Sequence, residues 1–242
     1  MPEREQASPR RGQIVVTGAS KGIGAAIAIE LDRRGFEPVS MSRSGECSVG
    51  RALACDVTDE AAVRTVLAEV AAAGPIMGVV NNAGLHRAAP SHELSTAEYE
   101  AVMRINATAV MVVAREAFPY LQASRGRLIN IGSFFDKLGV VEHLAYCASK
   151  AAVGAMTRCL AVEWARHGIK VLNVAPGYIA TDLNRDFLSR KGIREWLARR
   201  IPTGGPGSAE DVARLVASLL AEDIPFLTGE TLYIDGAQGM NH

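Results

Sequence analysis

Short apolar runs rich in β-branched residues alternate along the chain with longer stretches in which apolar residues recur at helical spacing. Seven such runs occur, at Gln13–Thr17, Pro38–Met41, Arg51–Cys55, Met77–Val80, Gly126–Ile131, Lys170–Ala175 and Glu230–Ile234. Uninterrupted runs of this length are typical of strands that are buried on both faces. Because strands that alternate with helices form right-handed βαβ units, the pattern predicts an α/β fold with one seven-stranded parallel sheet and helices on both of its faces.

The longer stretches predict the helices and their ends. The expected helices cover residues 25–34 before Gly35, the stretch from the N-cap Thr58 to Ala73, the stretch from Ser95 through Asn106 to about Leu121, the stretch from Tyr146 to Ala165, and the stretch from the N-cap Ser208 to about Ala221. Serine and threonine are preferred N-caps because their side-chain oxygen accepts a hydrogen bond from a free backbone N–H group.

The chain organisation favours one domain. At 242 residues, with 48% hydrophobic and 21% charged positions, the composition is that of an ordinary globular protein. No repeat or low-complexity linker divides the chain, so residues 13–242 are interpreted as one domain that follows a flexible tail, residues 1–12. The polar stretch 182–200 carries six cations and three anions and predicts a mobile lid over about residues 182–206.

Charge and cysteine usage narrow the function classes. The 26 Lys and Arg residues balance the 26 Asp and Glu residues, so no net attraction to nucleic acid or to an anionic membrane is expected. The first residues lack an apolar core, which argues against a secretory signal or a membrane anchor. The four cysteines form no CxxC pair and the five histidines show no metal-ligand spacing. Reduced thiols in a cytoplasmic protein without a metal site are therefore expected.

The first predicted strand runs directly into a glycine-rich loop, Gly18–Gly24, that precedes the first helix. A strand, a glycine-rich turn and a helix together present backbone N–H groups and a helix N-terminus to a pyrophosphate. Gly18 would allow the tight turn, and Gly22 and Gly24 would let ligand and strand approach the helix closely. Because the spacing is GxxxGxG rather than GxGxxG, a purely structural turn is the alternative.

The end of the second predicted strand indicates which dinucleotide is bound. NAD-binding folds usually carry an acid there that accepts the ribose hydroxyls, but this chain carries Ser42 and Arg43. Lys21 in the glycine loop adds a second cation. A hydroxyl and two cations suit a 2′-phosphate, so NADP(H) is favoured over NAD(H). A simply solvated arginine is the alternative for Arg43.

Tyr146 and Lys150 lie four residues apart at the start of the predicted long helix, and therefore on one face of it. A free tyrosine has a pKa near ~10, which makes it a poor proton donor or acceptor at neutral pH. A nearby ammonium stabilises the phenolate, and lowering the pKa by roughly three units requires about 4 kcal/mol. The pair would make Tyr146 a general acid and base. A solvated pair on a helix surface is the alternative.

Two further polar residues stand at informative positions. Asn106 lies within a strongly apolar helical stretch, where it would either pin the structure through its hydrogen bonds or hold a water molecule. Ser133 follows the fifth predicted strand and so lies at the carboxyl edge of the sheet, where open α/β sheets bind ligands.

With these residues in view, the chain resembles the short-chain dehydrogenase/reductase family over roughly Gln13 to Gly236. The motifs that carry the resemblance, in chain order, are Thr17-Gly-xxx-Gly-x-Gly24, Asp56, Asn81-Asn-Ala-Gly84, Asn106, Ser133, Tyr146-xxx-Lys150 and Pro176-Gly177. The resemblance implies a Rossmann fold with an NAD(P) cofactor and a catalytic group of four residues. In it, Ser133 hydrogen-bonds the substrate carbonyl and Tyr146 donates a proton. Lys150 binds the ribose hydroxyls and lowers the pKa of the tyrosine, while Asn106 holds a proton-relay water.

The same resemblance implies where the cofactor is held. The implied cofactor-binding residues are Gly18, Ser20, Lys21, Gly22, Ile23, Gly24, Ser42, Arg43, Asp56, Val57, Asn81, Ala83, Gly84, Tyr146, Lys150, Pro176, Gly177, Ile179 and Thr181.

The segment Leu227–Gly236 most resembles 3-oxoacyl-[acyl-carrier-protein] reductases, which implies reversible reduction of a ketone or 3-oxoacyl carbonyl. Phe134 and Phe135 would narrow the pocket or line it with apolar surface. A small sugar, polyol or cyclic alcohol is the alternative substrate, and a cofactor-sensing protein without catalytic activity is a further alternative. The resemblance also implies a homotetramer or homodimer whose partner is a small carbonyl or alcohol, or an acyl thioester.

Overall fold

The computed structural model describes residues 12–181 and 190–240. The predicted N-terminal tail therefore lies outside the described residues, apart from Gly12. The first part of the predicted lid, residues 182–189, also lies outside them.

Seven strands form one parallel sheet, as the apolar runs predict. They are β1 (Gln13–Thr17), β2 (Glu37–Ser42), β3 (Arg51–Ala54), β4 (Ile76–Asn81), β5 (Arg127–Ile131), β6 (Lys170–Pro176) and β9 (Thr231–Ile234). Their order across the sheet is β3-β2-β1-β4-β5-β6-β9, and every neighbouring pair is parallel. The direction of the connections reverses between β1 and β4. Open α/β sheets bind their ligands in the crevice that this reversal leaves at the carboxyl ends of the strands.

Helices cover both faces of the sheet. They are α1 (Gly22–Arg33), α2 (Glu60–Ala73), α3 (Thr96–Met103), α4 (Ala109–Ser124), α5 (Leu144–Trp164), α6 (Lys191–Arg200) and α7 (Ala209–Ala221). The apolar sides of α1 and α7 share one core with one face of the sheet. The apolar sides of α2 and α4 and the end of α5 form the core on the opposite face. The fold is thus the predicted Rossmann-like sandwich of helix, sheet and helix.

Two of the predicted helix starts, at Ser95 and Ser208, are confirmed, and the predicted cap of α2 is wrong. Ser208 accepts a hydrogen bond from the backbone N–H of Asp211 and caps α7, and Ser95 forms a capping box with Glu98 at α3. For α2 the predicted cap Thr58 is wrong, because Asp59 accepts the N–H groups of the first turn instead. The Thr58 hydroxyl donates to Asp56 instead, at 2.8 Å, so the carboxylate of the next residue, Asp59, caps the helix.

The helix predicted from Ser95 to Leu121 is interrupted. Arg104–Thr108 forms a π-helical turn between α3 and α4, and Asn106 lies at its centre. A π turn inserts one extra residue into a helix, and such turns are frequent at functional sites. The apolar pattern could not reveal it, because the residues on either side keep ordinary helical spacing.

The described part of the predicted lid, residues 190–206, contains α6, and the two strands of a second, small sheet lie just before and just after the lid in the sequence. Strand β7 (Ile179–Ala180) pairs in parallel with β8 (Gly207–Ser208), a pair too short for the apolar pattern to predict. Leu197 and Ile201 form a small apolar cluster with Tyr178, which holds α6 against the segment after β6. Among the described residues, no helix is both long and apolar enough to cross a bilayer.

Candidate active site

The glycine loop between β1 and α1 lies against the residues that follow β4. Gly18 and Gly22 have φ angles of +66° and +59°, which side chains other than glycine rarely adopt. A Cβ atom at Gly18 would lie 2.8 Å from Ala83 Cα, and one at Gly24 would lie 2.6 Å from the Gly18 carbonyl oxygen. These glycines are therefore required both for the turn and for the close approach of two backbone segments.

Thr17 and Asn82 hold this loop in place, and the sequence reasoning did not assign them a site role. The Thr17 hydroxyl accepts hydrogen bonds from the backbone N–H groups of Asn82 and Ala83, both at 3.0 Å. The Asn82 amide donates to the carbonyl oxygens of Thr17, at 2.9 Å, and Gly18, at 3.2 Å. The two consecutive asparagines at the end of β4 could have indicated this role of Asn82, since only one of the two side chains can point toward the loop.

The start of α1 fits the pyrophosphate of a dinucleotide. Its N-cap is Lys21, whose side chain does not cap the helix, and the first turn contains no acidic residue. No carboxylate of the first turn therefore competes with an anion for the free N–H groups and the positive end of the helix dipole. A Cβ atom at Gly22 would lie 3.8 Å from the methyl group of Thr181, so Thr181 stands across the loop. Ser20, Gly22 and Ile23 are partly exposed on this surface.

Two of the three residues predicted to select the cofactor, Ser42 and Arg43, lie at the carboxyl end of β2. Arg43 is exposed, whereas Ser42 is buried and its hydroxyl lies 3.3 Å from that of Ser44. Hydrogen bonds from Thr58 hold the pKa of Asp56 below its usual range, and the charge of Arg43 adds to the effect. Among the described residues the Arg43 guanidinium has no ion pair closer than 4 Å, so its donors face solvent at the expected position.

The structure gives contacts for several of the other predicted cofactor positions, whose binding role stays a prediction. The Asn81 amide donates to the Asn130 side chain at 3.0 Å and is buried, so only its backbone faces the site. Val57 is buried directly after Asp56. The Gly177 N–H donates to the Ile234 carbonyl oxygen, which fixes the segment from Pro176 toward Ile179 and Thr181.

Tyr146, Lys150 and Ser133 converge at the carboxyl edge of the sheet. Lys150 is buried, and its Nζ atom donates to the Ile131 carbonyl oxygen at the end of β5, at 2.8 Å. The Tyr146 ring centre lies 5.7 Å from Nζ, one helical turn away as predicted, and the Ser133 hydroxyl is near enough to the phenol to act on the pKa of Tyr146. The Ser133 hydroxyl in turn accepts the N–H group of Phe135, at 3.2 Å.

The pKa values differ from the prediction that Lys150 lowers that of Tyr146. Burial raises the pKa of Tyr146 to about 12, and the hydrogen bond from Ser133 opposes the shift only in part. Burial also lowers the pKa of Lys150 to about 8. Removal of water from both groups outweighs their mutual attraction, and the ammonium is engaged with Ile131 rather than with the phenol. Tyr146 is therefore protonated at neutral pH and can serve as a proton donor.

Asn106 is fully buried and fully hydrogen-bonded. Its side-chain oxygen accepts the N–H group of Leu85 at 2.7 Å, and its amide donates to the Leu85 carbonyl oxygen at 2.8 Å and to the Ser149 hydroxyl at 3.0 Å. A Cβ atom at Gly84 would lie 3.4 Å from the Asn106 side-chain oxygen and 4.0 Å from Lys150 Nζ. Asn106 thus pins the structure through its hydrogen bonds, as one of the two alternatives predicted. The role of holding a water molecule stays a prediction.

An aromatic group surrounds Tyr146, and two of its members are histidines that the sequence reasoning missed. The His86 ring packs edge-on against Tyr146 with 4.7 Å between ring centres, and against His143 at the same separation. Phe135 contacts both Tyr146, at 5.9 Å, and His143, at 5.4 Å. Phe134 and Phe135 are buried, and the rings of both pack against Tyr178.

Comparisons with known proteins agree with this arrangement. A family model described as enoyl-(acyl carrier protein) reductase matches residues 18–241. The chain is 34% identical to gluconate 5-dehydrogenase of Gluconobacter oxydans in an alignment of 240 residues that covers 92% of each chain. It is also 34% identical to the 3-oxoacyl-[acyl-carrier-protein] reductase FabG of Haemophilus influenzae over 233 residues, covering 92% of this chain and 96% of that protein.

Solved structures show the same similarity. A gluconate 5-dehydrogenase from Burkholderia cenocepacia in complex with NADP and tartrate superposes with a TM-score of 0.89 at 30% identity, covering 96% of this chain and 97% of the other. A short-chain type dehydrogenase/reductase from Mycobacterium marinum gives a TM-score of 0.86 at 27% identity, covering 95% and 96%. Sequence motifs, sheet topology and these matches agree over nearly the whole length. The chain belongs to the short-chain dehydrogenase/reductase family and is an NAD(P)-dependent oxidoreductase that acts on alcohol and carbonyl groups.

Proposed function

We propose that the protein interconverts a secondary alcohol and a ketone with NADP(H), with Tyr146 as the proton donor in the direction of reduction. The observation that carries the proposal is the convergence of the Tyr146 phenol, the Ser133 hydroxyl and the Lys150 ammonium at the carboxyl edge of the sheet. The glycine loop and the uncapped start of α1 lie at the same edge.

Each side chain has a defined part in this proposal. A nicotinamide cofactor, when bound, supplies the hydride in reduction and accepts it in oxidation. The Ser133 hydroxyl orients the substrate oxygen, and the protonated phenol of Tyr146 transfers its proton to that oxygen. The Lys150 ammonium binds the ribose hydroxyls, and Asn106 fixes Leu85 beside the site through paired hydrogen bonds.

For the substrate, we favour a small hydroxylated alcohol or ketone. Relatives named gluconate 5-dehydrogenase, glucose 1-dehydrogenase and D-threitol dehydrogenase all act on polyhydroxylated molecules by name. In this chain, Phe134 and Phe135 are buried and both pack against Tyr178, and Phe135 also contacts His143. The polar ring of His86 is the exposed neighbour of Tyr146.

A 3-oxoacyl thioester is the second candidate substrate. Reductases of such substrates are among the relatives. Helix α6 carries four cations, Lys191, Arg194, Arg199 and Arg200, against Glu195. An excess of positive charge near a site raises the local concentration of anionic ligands. The ring of Trp196 on this helix lies 5.9 Å from that of Tyr178, which places the charges beside the aromatic group.

A substrate panel read by NADPH absorbance tests these assignments. The panel contains D-gluconate and D-threitol in the oxidative direction and acetoacetyl-CoA and an uncharged ketone in the reductive direction. We expect turnover of the hydroxylated compounds, with kcat/KM above that of the thioester. If the thioester is the better substrate and loses rate as salt rises, the second candidate is correct, because salt screens charges beyond about 8 Å at physiological ionic strength. Tight NADPH binding without turnover of any compound would favour the cofactor-sensing alternative.

The proposed preference for NADP(H) predicts the effect of Arg43→Ala. Two charge-assisted hydrogen bonds at about 1.5–3 kcal/mol each would give a preference for NADPH over NADH of about 10²-fold or more in kcat/KM. We expect Arg43→Ala to remove most of this preference by raising the KM for NADPH. The matched control is Arg104→Ala, since Arg104 also acts on the charge of Asp56 but lies on the π turn. Equal use of the two cofactors by the wild type would contradict the assignment.

Assembly into a homodimer or homotetramer is also proposed. Helix α4 buries most of its apolar residues within the chain, whereas α5 buries few of its apolar side chains there, namely Ala145, Val153, Ala161 and Trp164. Val162 on α5 is nevertheless 80% exposed and Met111 on α4 is 38% exposed. Apolar side chains on the outer surfaces of two long helices support an interface between copies of the chain.

A further inference from the structure

Two histidines lie beside the proton donor and are tied to its supporting residues. His86 follows Leu85, whose backbone N–H and carbonyl groups are both held by Asn106. His143 is the N-cap residue of α5, three residues before Tyr146. The two imidazole rings lie 4.7 Å apart with an angle of 30° between their planes. Their positions are thus fixed by the same elements that place the catalytic groups.

The turn that carries His143 has an uncommon backbone conformation. Glu142 has a φ of +67°, a value that is rare for residues other than glycine, asparagine and aspartate. Such conformations persist only where surrounding contacts enforce them, and they cluster at functional sites. Here the Ala89 N–H group donates to the Glu142 carbonyl oxygen at 2.9 Å. This bond joins the loop that carries His86 to the turn that carries His143.

The hydrogen-bonding capacity of the pair follows from its contacts. His143 Nδ1 lies 2.6 Å from the Val141 carbonyl oxygen. Because a carbonyl only accepts, Nδ1 carries the hydrogen, which leaves Nε2 as an acceptor in the neutral ring. His86 forms no hydrogen bond among the described residues. Residue His86 is exposed overall, but partial burial of its ring and the neighbouring His143 lower the pKa of His86. A neutral imidazole offers one donor and one acceptor.

A neutral donor and acceptor beside the proton donor suit a hydroxyl group, which both donates and accepts. A hydroxyl on the carbon next to the reacting carbon has its oxygen three bonds from the oxygen that Tyr146 protonates, so it would lie beside the phenol. We infer that His86 and His143 are specificity-determining residues that hydrogen-bond this neighbouring hydroxyl, so that the site selects vicinal diols and α-hydroxy ketones. This inference rests on the proposed function and names the substrate class of that same site.

The test compares substrates that differ by one hydroxyl. The kcat/KM values of the full-length protein with NADP are measured for trans-1,2-cyclohexanediol and for cyclohexanol. One lost neutral hydrogen bond corresponds to about 10-fold. We expect the wild type to prefer the diol by about 10-fold or more, and His86→Phe and His143→Phe each to lower that ratio by about 10-fold, mainly through the KM for the diol. Phenylalanine keeps an aromatic ring in place, so packing is largely preserved.

Controls separate recognition from structure. His92→Phe is the matched control, because the His92 side chain is 80% exposed and pairs only with Glu93 among the described residues. It should leave the ratio unchanged. His86→Gln keeps a donor and an acceptor and should restore part of the preference. NADPH titration by fluorescence verifies that each variant is folded. A preference for the diol that survives in both phenylalanine variants would overturn the inference.

Further arms distinguish the ligand chemistry and the proposed function. D-Threitol, a neutral polyol, and D-gluconate, a carboxylate, should both depend on the histidines. If only gluconate depends on them, the pair binds the carboxylate and the hydroxyl assignment is wrong. If the wild type oxidises no alcohol, the proposed function fails. Calorimetric titration of the protein with the diol then tests the inference separately. Loss of diol binding in His86→Phe supports the inference. Equal binding by the variant and the wild type, or no binding by the wild type, refutes it.

Discussion

Replacing Tyr146 with phenylalanine is expected to lower kcat by about 10²- to 10⁴-fold, the usual contribution of general acid–base catalysis. The phenol lies at the carboxyl edge of the sheet, where the Ser133 hydroxyl acts on its pKa. Burial raises its pKa to about 12, so it holds its proton over the neutral range and can donate it to a substrate oxygen. The variant should still bind NADPH with an affinity near that of the wild type, because Lys150 and the glycine loop are unchanged.

The measurement is kcat for reduction of the best ketone of the panel, together with NADPH binding by fluorescence titration. Tyr120→Phe is the matched control, since Tyr120 lies on α4 and packs against the core away from the site. It should retain activity. If Tyr146→Phe turns over substrate at a rate close to that of the wild type, another group donates the proton and the assignment must be abandoned.

The sheet and most helices could be predicted because their signals are local and repeated. Runs such as Gln13–Thr17 are buried along their whole length, so the apolar pattern reports them directly. The cap of α2 could not be decided in this way. Thr58 and Asp59 are both good cap residues. Because Thr58 donates hydrogen bonds to Asp56, Asp59 caps the helix.

The site positions could be predicted because parallel strands bring their carboxyl ends to one edge. Ser133 after β5 and the turn after β1 are of this kind. The pKa of Tyr146 could not be predicted in this way. It depends on how much water the three-dimensional packing removes from the phenol, and spacing along a helix does not report burial. His86 and His143 were missed for a related reason. They come from separate loops joined by one backbone hydrogen bond, between Ala89 and Glu142.

Lys150→Met should reduce activity by about 10²-fold or more, since it removes the charge-assisted hydrogen bonds that the ammonium is proposed to donate to the ribose hydroxyls, and yet it should stabilise the folded protein at pH 7. Burial lowers the pKa of Lys150 from 10.5 to about 8. Below pH 8 the lysine is charged in both the folded and the unfolded states, so the full desolvation penalty opposes folding there. A shift of this size corresponds to at most about 3 kcal/mol. Loss of the hydrogen bond to Ile131 offsets about 1–2 kcal/mol of it.

The pH dependence gives this prediction its sharpest form. Between pH 8 and 10.5 the unfolded state binds a proton at Lys150 that the folded state does not, so the stability of the wild type rises with pH relative to that of the variant. The net gain of about 1–2 kcal/mol expected for Lys150→Met at pH 7 should therefore shrink across this window. At pH 7 it should appear as a rise in Tm of about 2–8 °C, given about 2–4 °C for each kcal/mol in a domain of this size. Lys191→Met is the control, because its side chain is 92% exposed and should show no such trend. A variant that is less stable than the wild type at pH 7, or a difference that grows toward pH 10, would show that burial does not depress the pKa of Lys150.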